Sequence, residues 1–179
     1  MKKIKICGVG SVLLGDDAIG PYTARWIAAN YEFGEGVEVE DLGTPGLDLI
    51  AYMTGIDVLI LIDSVENREP AGTVTVYDKA AITRQRPAVR LDPHSPCITE
   101  SIFVAELAGD GPEDVYLIGV TGEQLDVGAP LSASVKAAIP LTVEKALERV
   151  LLHGGTYKQR AIPMDCEIWW EDAQVSIGA

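Results

Sequence analysis

The sequence predicts a single-domain, three-layer α/β/α sandwich around a mostly parallel, twisted sheet of about five strands, with one antiparallel edge strand. The apolar residues switch repeatedly between the period of a strand and that of a helix. The run at 58–62 is continuously apolar, as in a strand buried on both faces. A length of 179 residues suits one domain rather than two.

The amino-terminal half repeats a strand, loop and helix order. Residues 4–9 form the first predicted strand, and a helix follows a glycine-rich loop at about 21–31. Residues 37–40 alternate as a second strand, and a brief helix follows over 47–53. The apolar run at 58–62 is the third strand and should lie at the centre of the sheet.

The next segments contain the predicted edge strand and a long loop. Residues 72–77 follow Asp63 too closely for a crossover helix, so they are predicted to form an antiparallel edge strand. The stretch 83–96 is rich in Arg and Pro and is predicted to be an irregular loop. Ser95 and Pro96 suit the N-cap and first turn of a helix that continues through Ala108.

The carboxy-terminal third adds one strand and one helix before a tail. Residues 115–120 are predicted as another buried strand, and 131–152 as a helix that Pro140 should kink. We expect an α/β domain over 1–154 and a tail over 155–179. Three outcomes stay open for this tail: packing across the domain, contact with a partner, or partial disorder, although two adjacent Trp residues disfavour full disorder.

The net charge, the lengths of the apolar runs and the cysteine content narrow the expected binding partners and the expected cellular compartment. The net charge of -13 would repel a phosphate backbone, so no nucleic-acid partner is expected, whereas cations or a basic protein would be attracted. No apolar run approaches the roughly 20 residues that span a bilayer, and no export signal follows the first residues. Three scattered cysteines disfavour a disulfide framework. The protein is expected to be cytoplasmic, without a membrane partner.

Asp17, Asp63 and His94 form the candidate functional site. Ligands of open α/β sheets bind beyond the carboxyl ends of the strands, and each of these residues falls at such a place or just before a helix. If the first and third strands are neighbours, Asp17 comes beside Asp63. Two carboxylates and an imidazole suit nickel, zinc, iron or manganese. Without a metal, the carboxylates could instead work as a general acid and base.

Simpler structural roles compete with these assignments. Asp16 and Asp17 precede a helix and could cap it, so only one of them need be a ligand. Cys97 lies near His94, but a packing role is favoured for it. A nucleotide-binding protein is the competing class, because Gly8, Val9 and Gly10 form a glycine-rich turn at the end of the first strand. Its fingerprint is incomplete, although Glu40 and Asp41 could mimic the ribose-binding acid.

The motifs of this chain resemble those of the hydrogenase maturation proteases. The opening motif is the run at 8–20, Gly-Val-Gly-Ser-Val-Leu-Leu-Gly-Asp-Asp-Ala-Ile-Gly. Further blocks occur in the family order, at 43–46, 61–64, the loop around His94, 118–120 and 128–132. The resemblance extends from about residue 4 to 150. It departs at Ser11, where the family usually has Asn, and at Ala18, where Gly is common.

The resemblance implies an endopeptidase that removes the C-terminal extension from the nickel-loaded large-subunit precursor of a nickel–iron hydrogenase. It implies that Asp17, Asp63 and His94 contact the metal, with nickel supplied by the substrate and no organic cofactor. Asp16 is a candidate proton acceptor in peptide cleavage. The alternative is a noncatalytic metal-binding or nucleotide-binding α/β protein.

Overall fold

The computed structural model describes residues 1–84, 98–168 and 170. The strands are β1 (Ile4–Val9), β2 (Tyr31–Phe33), β3 (Val37–Gly43), β4 (Val58–Val65), β5 (Val74–Asp78), β6 (Asp114–Thr121) and β7 (Tyr157–Gln159). The helices are α1 (Ile19–Asn30), α2 (Leu49–Met53), α3 (Lys79–Arg84), α4 (Ile98–Leu107) and α5 (Ala133–Leu152).

The main sheet has five strands in the order β3-β1-β4-β6-β5. β1 pairs in parallel with both β3 and β4, and β4 pairs in parallel with β6. β5 lies at the edge of the sheet and is antiparallel to β6, a direction that agrees with its short connection from β4. The predicted mostly parallel sheet, its central strand and its antiparallel edge strand are confirmed.

Two apolar layers enclose this sheet. Along β4, Val58, Ile60 and Ile62 pack on the side covered by α1 and α5. Leu59 and Leu61 pack on the opposite side, which α2, α3 and α4 cover. All five side chains are fully buried, and each such burial stabilises the fold by about 1.5–3 kcal/mol. The predicted three-layer sandwich is therefore confirmed.

Glycines bring the start of α1 against the ends of β1 and β4. A Cβ atom on Gly8 would overlap the carbonyl oxygen of Gly20, and one on Gly20 would overlap the carbonyl oxygens of Val9 and Ile62. Glycine at both positions therefore permits a backbone contact that any larger residue would prevent. This contact places the loop between β1 and α1 directly beside the carboxyl end of β4.

The first part of the tail packs back across the domain. β7 pairs antiparallel with β2, forming a small second sheet that the sequence pattern did not predict. Further along, the backbone N–H of Met164 donates to the carbonyl of Ala29. Trp170 is almost fully buried and lies under the guanidinium of Arg25 at 5.1 Å. Of the three outcomes left open for the tail, packing across the domain is observed for β7 and Trp170, whereas residues 161–165 are exposed.

Three helix predictions meet different outcomes. Lys79–Arg84 is helical, so residues 83 and 84, predicted as the start of the irregular loop, belong to a helix, and residues 85–96 of that prediction lie outside the described residues. The predicted N-cap pair Ser95 and Pro96 lies outside the described residues, and α4 is described from Ile98. α5 runs without interruption through Pro140. In the segments that the structure describes, none of the helices combines the length and apolarity needed to cross a membrane.

Candidate active site

The candidate site lies at the carboxyl edge of the sheet, where the loops after β1, β4 and β6 meet. Asp17 belongs to a 3-10 turn, Gly15–Ala18, that leads directly into α1. Asp63 lies near the end of β4, opposite Gly119 of β6. Because β1 and β4 are neighbours, the expected condition for bringing the two carboxylates to one edge is met. Both side chains are buried, each with 4% exposure.

Hydrogen bonds fix the carboxylate of Asp17 on both of its oxygens. Oδ2 accepts from the backbone N–H of Ser11 at 2.6 Å, and Oδ1 accepts from the hydroxyl of Ser64 at 2.9 Å. Ser64 directly follows Asp63 in the chain, so this bond ties the β1 loop to the strand that bears the second carboxylate. Such contacts orient a side chain before any ligand arrives.

Asp16 faces a different part of the structure. Its Oδ2 accepts from the backbone N–H groups of Glu123 and Gln124 at 2.9 and 3.1 Å, and its Oδ1 accepts from that of Ser132 at 2.6 Å. The side chain is fully buried. This network joins the β1 loop to the loop after β6. A carboxylate held by three N–H donors and closed to solvent fits a structural role better than that of the predicted proton acceptor.

The backbone of the β1 loop has little freedom beside these acids. Gly10 has φ of +132°, and a Cβ atom there would overlap the carbonyl oxygen of Asp17. Gly15 has φ of +51°, and its Cβ atom would lie 2.7 Å from the carbonyl oxygen of Gln124. Both conformations favour glycine, so the glycine-rich motif read from the sequence shapes the loop around Asp17.

The third predicted ligand, His94, lies outside the described residues, as does Cys97. Within 1–84, 98–168 and 170, no group of three His, Cys, Asp or Glu side chains is arranged to hold a metal ion. Metal binding by Asp17, Asp63 and His94 therefore stays a prediction. The described geometry contributes two buried carboxylates at one sheet edge, oxygen donors of the kind that divalent metals accept.

The acids at the end of β3 are engaged by basic residues. Asp41 accepts a 2.7 Å hydrogen bond from Nε of Arg25, and its other oxygen accepts from the backbone N–H of Gly43 at 3.0 Å. Glu40 pairs with Lys5 at 2.7 Å. Neither carboxylate is presented as a free acceptor for a ribose, which weakens the nucleotide-binding alternative.

The thiol of Cys7 is buried in the first strand of the sheet. Burial raises its pKa from 9.0 to about 12, so the protonated form dominates near neutral pH. An uncharged, enclosed thiol is a poor nucleophile. Cys7 therefore contributes packing rather than a nucleophile.

Fold and site together define a class: an α/β/α protein that gathers buried carboxylates at the carboxyl edge of a parallel sheet. Comparison with known proteins makes this class specific. The family model for hydrogenase maturation proteases matches residues 21–149. The expression and formation protein HoxM of Cupriavidus necator is 31% identical over 149 residues, which cover 83% of this chain and 74% of that protein.

Comparisons with Escherichia coli extend the likeness in both sequence and structure. The hydrogenase 2 maturation protease is 31% identical over 153 residues, covering 83% of this chain and 88% of that protein. The solved structure of the hydrogenase maturating endopeptidase HybD superposes with a TM-score of 0.80 at 27% identity, covering 90% of this chain and 99% of that chain. This chain belongs to the hydrogenase maturation protease family and is a peptide hydrolase. The resemblance read from its motifs is confirmed.

Proposed function

We propose that this protease removes the C-terminal extension of a nickel-loaded hydrogenase large-subunit precursor, and that Asp17, Asp63 and His94 recognise the substrate's nickel. One observation carries the proposal: two buried carboxylates lie on neighbouring elements at one sheet edge, joined through Ser64. Donors from Ser11 and Ser64 orient the Asp17 carboxylate. Each carboxylate oxygen has two lone pairs, so a metal brought by the substrate could still be bound there.

The ligand set explains why the metal would remain substrate cargo. Two oxygens and one imidazole nitrogen bind nickel without the thiolates of a closed structural site. Such a set leaves coordination positions open for the ligands that the precursor already provides. Temporary binding then reports that the precursor is loaded, whereas a permanent tight site would extract the metal.

Recognition precedes chemistry in this scheme. Once Asp17, Asp63 and His94 engage the nickel, the nearby scissile peptide is held in a fixed place at the sheet edge. The metal either polarises the carbonyl or activates water, or it anchors the substrate while the carboxylates act on the peptide. We assign Asp16 to holding the loops around the site, because its oxygens already accept from three backbone N–H groups.

The proposed partner is the precursor protein, with no nucleic acid, no membrane and no organic cofactor. A chain with a net charge of -13 attracts basic protein surfaces and repels phosphate backbones. A cytoplasmic address is proposed, because the free thiols of Cys7 and Cys166 suit a reducing compartment.

An intact-mass assay tests the proposal. Purified full-length chain is mixed with nickel-loaded and with nickel-free precursor, and the precursor mass is followed over time. We expect a loss equal to one C-terminal peptide for the loaded precursor only. Asp63→Asn should abolish the loss, whereas Asp110→Asn, which changes an exposed acid in the loop after α4, should retain it. An unchanged mass with wild-type enzyme would contradict the protease assignment, and equal cleavage of nickel-free precursor would contradict metal recognition.

A further inference from the structure

An exposed apolar rim borders the candidate site. Leu13 is 56% exposed, Leu125 54% and Val127 83%. The three residues belong to the loops that follow β1 and β6, and we call them the apolar rim. Single exposed apolar side chains are common on protein surfaces, but a group of them beside a functional site marks a surface that a partner covers.

Backbone contacts bring the two loops of the rim together. The N–H of Gly128 donates to the carbonyl of Leu13 at 2.9 Å, and Leu14 forms an antiparallel bridge with Val127. At the base of the same loops, the N–H of Asp16 donates to the carbonyl of Gln124 at 2.9 Å. The rim is therefore built on paired backbone rather than on separate loops.

The hydrogen bonds that Asp16 accepts link the rim to the carboxyl edge of the sheet, where the candidate active site lies. Asp16 holds the backbone of Glu123, Gln124 and Ser132, and the next residue in the chain is Asp17. The rim and the predicted metal-binding carboxylate therefore belong to one connected unit. Leu13 lies four residues before Asp17 and its carbonyl accepts from the loop after β6, so the rim adjoins the sheet edge where we propose that the peptide substrate binds.

Acidic side chains flank the apolar ones. Glu123 and Asp126 are exposed in the loop after β6, next to Leu125 and Val127. The surface thus alternates apolar and negative groups, in a chain that is strongly acidic overall. Its complement is an apolar surface with Lys or Arg around it.

We infer that the apolar rim is the docking surface for the hydrogenase precursor, and that it binds an apolar segment of that protein flanked by basic residues beside the scissile peptide. This inference rests on the proposed function. The rim provides binding affinity and positions the precursor peptide along the site, whereas the metal contact distinguishes a nickel-loaded precursor from a nickel-free one. Its residues act in binding rather than in chemistry, so their loss raises KM and leaves kcat nearly unchanged.

Steady-state cleavage and direct binding test the inference together. The double variant Leu125→Ser/Val127→Ser is compared with Leu151→Ser/Leu152→Ser, which changes two similarly exposed residues at the end of α5, near the opposite edge of the sheet. We expect KM to rise about tenfold or more in the rim variant with kcat within about twofold, and no change in the control. Thermal unfolding should be equal, since all four side chains are exposed.

Binding to the nickel-loaded precursor is measured separately by calorimetry, in wild type and in both variants. Weaker binding by the rim variant alone supports the rim whether or not cleavage occurs. Cleavage by wild type with unchanged KM and affinity in the rim variant would overturn the rim and leave the protease function intact. If the wild type binds the precursor but never cleaves it, the protease function is contradicted instead. If the wild type does not bind the precursor at all, the inference that the rim is a docking surface is overturned.

Discussion

The hydroxyl of Ser64 donates a 2.9 Å hydrogen bond to Oδ1 of Asp17, across the gap between the β1 loop and β4. The bond links two elements that are distant in sequence and each carry one predicted metal-binding acid. It also leaves Asp17 with donors on both oxygens, because Ser11 holds the other. The position of the Asp17 carboxylate relative to β4 is thus set by the protein before substrate binds.

Ser64→Ala should lower cleavage efficiency with little effect on folding. Removing the hydroxyl frees Asp17 to rotate, and a small misplacement in such a site lowers kcat/KM by roughly ten- to a hundredfold. The free energy of unfolding should fall by only about 1 kcal/mol, the usual worth of one hydrogen bond. Cleavage kinetics measure the change in kcat/KM, and urea unfolding measures the change in the free energy of unfolding. Thr54→Ala, which removes an exposed hydroxyl at the end of α2, should change neither, and equal kinetics for both variants would argue against a positioning role for Ser64.

Asp16→Asn and Asp17→Asn should separate structure from recognition. At Asp16 the amide replaces an acceptor with a donor facing backbone N–H groups, so the free energy of unfolding should fall by about 1–3 kcal/mol. At Asp17 the fold should largely persist, while cleavage of nickel-loaded precursor is lost. Urea unfolding followed by circular dichroism measures the stability of each variant, and the intact-mass assay measures its cleavage activity. A stable but inactive Asp16→Asn would instead favour a direct catalytic role for Asp16.

These adjacent acids show what the sequence could and could not establish. The pattern predicted that a carboxylate before α1 is functional, but it left open which of the two acids caps or holds the backbone. That distinction needed the loop after β6, whose N–H groups are over a hundred residues from Asp16. The central strand was predictable because its apolar run is unbroken. β2 and β7 were not, since three-residue strands carry almost no periodic signal.

Gly20→Ala should destabilise the protein far more than Gly55→Ala. A methyl group at Gly20 overlaps carbonyl oxygens of β1 and β4, so α1 must move away from the sheet and the β1 loop must move with it. At Gly55 the methyl meets open space, and only the positive φ of +70° adds a cost, on the order of 1 kcal/mol. Denaturant unfolding compares the two variants. Equal losses would show that α1 can shift freely relative to the sheet.

Alkaline pH should destabilise the fold through Cys7. Burial raises the pKa of its thiol from 9.0 to about 12, so the folded state keeps a proton that the unfolded chain releases. Stability from this group is complete below pH 9 and is lost as pH rises toward 12, by about 1.4 kcal/mol per pH unit. Urea unfolding between pH 8 and 10 measures the slope. Cys7→Ala should flatten it more than Cys166→Ala does, and identical slopes would contradict the buried thiol.

The most direct measurement of metal recognition is a crystal of the full chain soaked in nickel or cadmium, with anomalous scattering used to locate the ion. The expected result is one peak within about 2.0–2.5 Å of Asp17, Asp63 and His94 together, at the carboxyl edge of β4. A peak elsewhere, or coordinates in which these three side chains point apart with no ion between them, would contradict recognition of the substrate's metal by this site.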